Sequence, residues 1–306
     1  MSGIAVRKLS RLGNELYLTS STIAAGIVPG HYDWGIVMIL LLKRGAADWV
    51  SDGGFARPAT LTQFSSINAM AASLNKPYAT MHRYVTGLVK HGLVVQTDRG
   101  VAITNDPVIA PRIVAVMTLA HDSFVRLAED LAGDRRFPAP TRAVARDLSH
   151  RILLAALDVW LVPHEYAREP VVDWTSKLVW IVIVVANVRH IVTDPVLSDR
   201  YADDPTPDDL RRPITVRAIA RLSGLSYGTV YRHCRTLAAL DVIRYDRDGW
   251  LLVSRQLANE EVDQGVTALL DYFDKRIVEL GAYGFDPAGA GAFYLDGRPP
   301  YVPITP

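Results

Sequence analysis

Two stretches of equal length in this chain, KPYATMHRYVTGLVKHGLVVQTDRGVAIT (76–104) and LSYGTVYRHCRTLAALDVIRYDRDGWLLV (225–253), align without a gap when Tyr78 is set against Tyr227. Thr80 then meets Thr229, Arg83 meets Arg232, Leu88 meets Leu237 and Gly100 meets Gly249. The apolar positions agree as well: Ile67 with Val216, Met70 with Ile219, Met81 with Val230, Val85 with Cys234 and Val94 with Ile243. A repeat of this kind restricts the fold, because whatever the first stretch builds the second is expected to build again.

The likeness extends outward. HYDWGIVMILLLKR precedes the first stretch and VVDWTSKLVWIVIVVANVR the second, each with Asp-Trp leading into an apolar run. Downstream, Val116, Ala120, Phe124, Leu127 and Leu131 stand at helical spacing, as do Val266, Leu269, Phe273, Ile277 and Leu280. Each half therefore reads as apolar helix, compact unit, amphipathic helix. The junction is expected at AGDRRFPAPT (132–141), where glycine, proline and charge interrupt the pattern. This gives an N-terminal repeat over 1–135, a C-terminal repeat over 141–285 and an irregular tail over 286–306. The tail's Phe285, Phe293, Tyr294 and Tyr301 are expected to dock on the body. DPVLSDRYADDPTPDDLRRP (194–213) is expected to be a mobile surface loop from its acid and proline content.

Within the second stretch, TVRAIARLS reads as a short helix and Gly224 as a left-handed turn plugged by Leu225. A second helix follows, capped by Ser226, with Val230, Cys234 and Leu237 facing inward. VIRY and WLLV flank DRDG as strand, turn and strand. In the first stretch Asn75 takes the glycine's place, which its tolerance of the left-handed region allows. Leu74 is expected to fill the space of the plug, and Pro77 to open the helix at its first position. Helix, tight turn, helix and hairpin resemble a winged helix-turn-helix. The residues of the second stretch resemble those of bacterial transcription regulators of the IclR, GntR and MarR kind, over about 40 residues in each half. The fold class expected is mainly α with small β-hairpin wings: two winged helix-turn-helix repeats in one chain, related by a pseudo-two-fold, with long packing helices.

In such a motif the second helix enters the major groove. With Val230, Cys234 and Leu237 inward, Tyr227, Tyr231, Arg232 and Arg235 are left outward; the matching residues are Tyr78, His82, Arg83 and Thr86. Arg99 and Arg247 fall in the wing turns, where a minor groove or backbone favours arginine. Lys76, Lys90, Arg217, Arg221 and Arg244 are candidates for phosphate contacts. The expected partner is double-stranded DNA and the expected function sequence-specific transcriptional control by a single-chain pseudo-dimer, its half-sites about 34 Å apart. Two other readings stand beside it: a plasmid replication initiator, which also uses tandem winged helices, and a winged-helix assembly adaptor that binds protein instead of DNA. The helices around Trp34, Trp174 and Trp180 are either packed core or the frame of a small-molecule effector pocket. Further self-association is left open.

Composition limits what else the chain can be. The formal net charge is +1, so any nucleic-acid surface is local. One cysteine, Cys234, excludes an internal disulfide and fits a reducing cytoplasm. The opening MSGIAVRKLSRLGNEL is unlike a signal peptide. The longest apolar runs, IVMILLL (36–42) and LVWIVIVVA (178–186), fall short of the roughly 20 residues of a spanning helix, so no membrane partner is expected. No P-loop, dinucleotide fingerprint or His-Glu-x-x-His is present; His164-Glu165 lacks the second histidine. No catalytic residue, metal site or cofactor is expected.

Overall fold

Helices dominate because apolar side chains recur at helical spacing along most of the chain, and hairpins appear only where glycine permits a tight reversal. A computed structural model describes residues 6–133, 137–165, 173–253 and 260–304. The expected junction falls partly on 134–136, outside the described residues, as do the side chains of Glu165, Val266 and Leu269.

The helices are α1 (Val6–Ile27), α2 (Tyr32–Gly45), α3 (Ile67–Ser73), α4 (Tyr78–Lys90), α5 (Ala110–Ala132), α6 (Leu148–Glu165), α7 (Trp174–Thr193), α8 (Pro195–Arg200), α9 (Val216–Ser223), α10 (Tyr227–Ala239) and α11 (Glu260–Gly281). Among the described residues the strands form three antiparallel pairs: β1 (Val50–Ser51) with β2 (Gly54–Phe55), β3 (Val94–Thr97) with β4 (Gly100–Ile103), and β5 (Ile243–Asp246) with β6 (Gly249–Leu252).

The chain divides into two compact units, and they are not the contiguous ranges 1–135 and 141–285. One comprises Met1–Tyr32, Glu169–Lys275 and Pro300–Pro306; the other comprises Asp33–Arg168 and Arg276–Pro299. Packing explains the interleaving. In the first unit α7 is the centre, with α1, α8, α9, α10 and β6 laid against it. Glu15 of α1 takes Arg189 of α7 in a two-pronged ion pair, Nε to Oε1 at 2.6 Å and Nη2 to Oε2 at 2.7 Å. In the other unit α6 packs on α5. Asp158 of α6 pairs with Lys43 at 2.5 Å, and Arg151 stacks on Tyr283 at 3.6 Å. The opening helix of each half of the sequence thus belongs to the unit that holds the other half's hairpin.

Helix α2 is enclosed over its apolar run, every residue from Ile36 to Leu42 being buried. Helix α7 is apolar nearly all round, as a helix surrounded by others must be. Taken whole, it corrects the length argument made on its apolar run alone. At 20 residues it is long and apolar enough to cross a membrane, and 67% of that window is buried inside the fold. Phe273, Ile277 and Leu280 of α11 are buried, as their spacing predicts.

The stretch 194–213 is more ordered than its composition predicts. Asp194 caps α8, its carboxylate accepting from the N–H groups of Val196 and Leu197, and Pro195 opens the helix. Arg211 is buried: its guanidinium donates to the Thr206 carbonyl and, at 3.1 Å, to the Leu252 carbonyl of β6. The tail docks as expected. Phe285 is fully buried against Phe293 at 5.0 Å, Tyr294 donates to Glu129, and Arg189 lies over Tyr301.

Candidate nucleic-acid interface

In the first unit Thr215 caps α9 by accepting from the Ala218 N–H, and Gly224 ends it at φ 67°. Leu225 is buried beneath the turn. Ser226 then caps α10, accepting from the Thr229 N–H at 3.2 Å. Val230, Cys234 and Leu237 point into the core. Burial pushes the Cys234 thiol up to about 12, so it is a small apolar core residue and not a reactive one. The α10 helix leads into the β5–β6 hairpin, whose reversal is Arg247-Asp248.

Residues 66–103 build the same sequence of elements in the other unit. Ser66 caps α3, accepting from the Ala69 N–H. Asn75 sits in the left-handed region at φ 48° where Gly224 sits in the other stretch, and Leu74 is buried beside it. Gly92 at φ 69° stands where Asp241 at φ 58° stands. Pro77 is the cap of α4 and Tyr78 its first residue, one position later than the sequence predicts. Proline has no side-chain acceptor to offer the first N–H groups, so this cap makes no side-chain hydrogen bond.

The β3–β4 and β5–β6 hairpins each gain a third strand-like segment from the residue just before the cap of α3 or α9. Ser65 bridges Val101 and Ile214 bridges Trp250. These approaches are so close that only glycine fits at the first position of the returning strand. A Cβ at Gly100 (φ 123°) would lie 2.8 Å from the Ser65 carbonyl oxygen, and one at Gly249 (φ 152°) 2.5 Å from that of Ile214. Gly249→Ala is therefore expected to destabilise the first unit by about 1–3 kcal/mol, measured by denaturant unfolding.

Every side chain singled out for DNA contact lies on the surface: Tyr78, His82, Arg83, Thr86 and Arg99 in one unit, and Tyr227, Tyr231, Arg232, Arg235 and Arg247 in the other. Their settings differ. Arg232, Arg235 and Arg247 make no side-chain hydrogen bond or ion pair among the described residues. Arg99 is folded back, its Nη2 donating to the Thr62 carbonyl at 2.8 Å and its guanidinium lying 4.4 Å above the Phe64 ring. Arg244 is shared between Asp208 and Asp246 at 3.7 and 3.6 Å. The Thr86 hydroxyl donates to the His82 carbonyl. Neither α4 nor α10 carries an acidic residue.

Three supports of these helices were not read from the sequence. Tyr84 of α4 donates to Asp33 of α2 at 2.7 Å. Burial, and then that carboxylate, push the Tyr84 phenol well above its ordinary value, so it remains the donor. Trp34, the next residue, lies against Gly87, where a Cβ would come within 2.4 Å of the indole ring. In the other unit Asp173 caps α7 and accepts from the Ser176 hydroxyl, which is hydrogen-bonded to His233 of α10 at 2.7 Å. The repeated Asp-Trp was the signal; what it braces was not. Asn187, fully buried in α7, donates to the carbonyls of Arg212 and Trp250 and accepts from the Leu252 N–H at 2.8 Å.

Two short helices joined by a left-handed turn, with a hairpin behind the second, define the winged helix-turn-helix class. Comparison with known families agrees for one segment: residues 208–247 match the IclR helix-turn-helix domain. That match makes the segment one of a DNA-binding type found in transcription regulators, a class that is typically not enzymatic. No curated protein and no solved structure matches the chain. Among the described residues no group of three His, Cys, Asp or Glu side chains could hold a metal ion.

Proposed function

We propose that the chain is a sequence-specific DNA-binding transcription regulator that carries two winged helix-turn-helix units and reads two half-sites of one duplex, as a single-chain counterpart of a two-chain regulator. The observation that carries this reading is the domain match at 208–247 together with the same left-handed positions, cap and bridge at the corresponding places of 65–103. In each unit the second helix offers groups suited to base edges. Arg232 and Arg235 of α10, and Arg83 of α4, can pair with guanine through two hydrogen bonds. Arg217, Arg221, Lys76 and Lys90 are placed on the same motifs to hold phosphates, which position without reading. Because His82 and Thr86 stand where the other helix has Tyr231 and Arg235, the two half-sites differ, and the target is an imperfect palindrome or no palindrome at all.

A salt titration of duplex binding tests this reading. The logarithm of affinity is expected to fall linearly with that of salt concentration, by about 0.9 for each phosphate neutralised. A protein-docking adaptor would show no appreciable duplex affinity at any salt, and that result would overturn the proposal.

A further inference from the structure

On the exposed side of α10, Tyr227 and Tyr231 stand one turn apart with their rings stacked, centroids 6.5 Å apart and planes 6° from parallel. They are 59% and 46% exposed. On α4 the corresponding pair is Tyr78 and His82, with centroids 5.9 Å apart and planes at 33°; Tyr78 is 52% exposed. Four rings held in water at matching places do nothing for the core. Large apolar surface left out in this way marks a contact surface. Arginine follows each pair directly, Arg232 and Arg83, and no carboxylate interrupts either helix. The surface therefore suits a partner that is anionic and also carries small apolar groups at close spacing. In the major groove one base presents such a group, thymine, through its 5-methyl.

Resting on the DNA-binding reading above, we infer that these ring pairs read thymine methyl groups, one pair for each half-site, beside the guanine taken by the neighbouring arginine. The parallel rings of the two tyrosines of α10 present one broad apolar plate to a partner. The imidazole of His82 makes the α4 plate smaller and more polar. The half-site read by α10 is therefore the more thymine-dependent of the two.

The test uses the full chain. A preferred duplex is selected from a random library at fixed salt and then resynthesised with deoxyuridine for thymine, which removes the methyl and leaves every base-edge hydrogen-bonding group in place. Affinity is expected to fall about fourfold for each buried methyl lost. Tyr227→Ala and Tyr231→Ala should bind the two duplexes alike, whereas Tyr227→Phe, which keeps the ring, should still discriminate. Equal affinity of the unaltered chain for both duplexes overturns the inference, as does equally tight binding of the separated strands, where rings would stack on bases instead. A library from which nothing is enriched would overturn the DNA-binding reading itself, and so is distinguishable from either result.

Discussion

Arg232→Ala is expected to lower affinity for a selected duplex about 10- to 100-fold, the loss falling on one base pair of the site. Arg232 is exposed in the second turn of α10, and no group of the described chain takes up its guanidinium. Its hydrogen bonds are therefore available to a partner, and a two-pronged pair with guanine contributes about 1–3 kcal/mol of discrimination. Arg83→Ala in α4 should produce a loss of the same kind at a different base pair if both units engage the duplex. Arg83 lies beside Tyr84, 5.6 Å from its ring, so the effect there is expected to be the smaller. Measuring both variants against a panel of single-base-pair changes separates the outcomes. A uniform loss across all sequences would mean that these arginines hold phosphate and do not read bases. No loss from Arg83→Ala would leave α4 a structural helix.

Severing the chain between its two halves is the second large effect. Pieces 1–136 and 137–306, each produced alone, are expected to fold poorly, and to recover helical content and form a one-to-one complex when mixed. The reason lies in the interleaving. Piece 137–306 retains α7 but loses α1, and with it Glu15, leaving the half-buried Arg189 without its carboxylate. Removing one partner of such a pair costs about 3–5 kcal/mol. Piece 1–136 retains α5 but loses α6 and the segment around 287–299 whose backbone N–H groups bind Asp122. Circular dichroism and size-exclusion chromatography of the pieces, alone and mixed, decide the matter. Two independently folded monomers would contradict the prediction.

The legible parts of this fold are those fixed by neighbours in sequence. Gly224, Leu225 and Ser226 announce a left-handed turn, its plug and its cap within three residues, and each serves as written. The inward face of α10 follows from spacing alone. Composition misled where a local signal was overlooked: 194–213 is rich in acid and proline, yet Asp194-Pro195 is itself a helix start. The exchange of α1 and α6 was not legible for a different reason. When two halves resemble each other, the apolar face of an opening helix fits either one, and periodicity does not say which. Asn187 was hidden in the same way, since its three hydrogen-bonding partners lie 25 or more residues further along the chain.

That asparagine has a mechanical consequence. One amide, in the C-terminal half of α7, grips both the lead-in segment and the last strand of the β5–β6 hairpin. A helix cannot turn about its own axis by even one residue's worth, about 100°, without carrying such a side chain out of reach. Leu252 would then hold a buried N–H with nothing to receive it, at a cost of about 1–3 kcal/mol. Rod and wing are keyed together at the root of the hairpin, like a shaft and its collar.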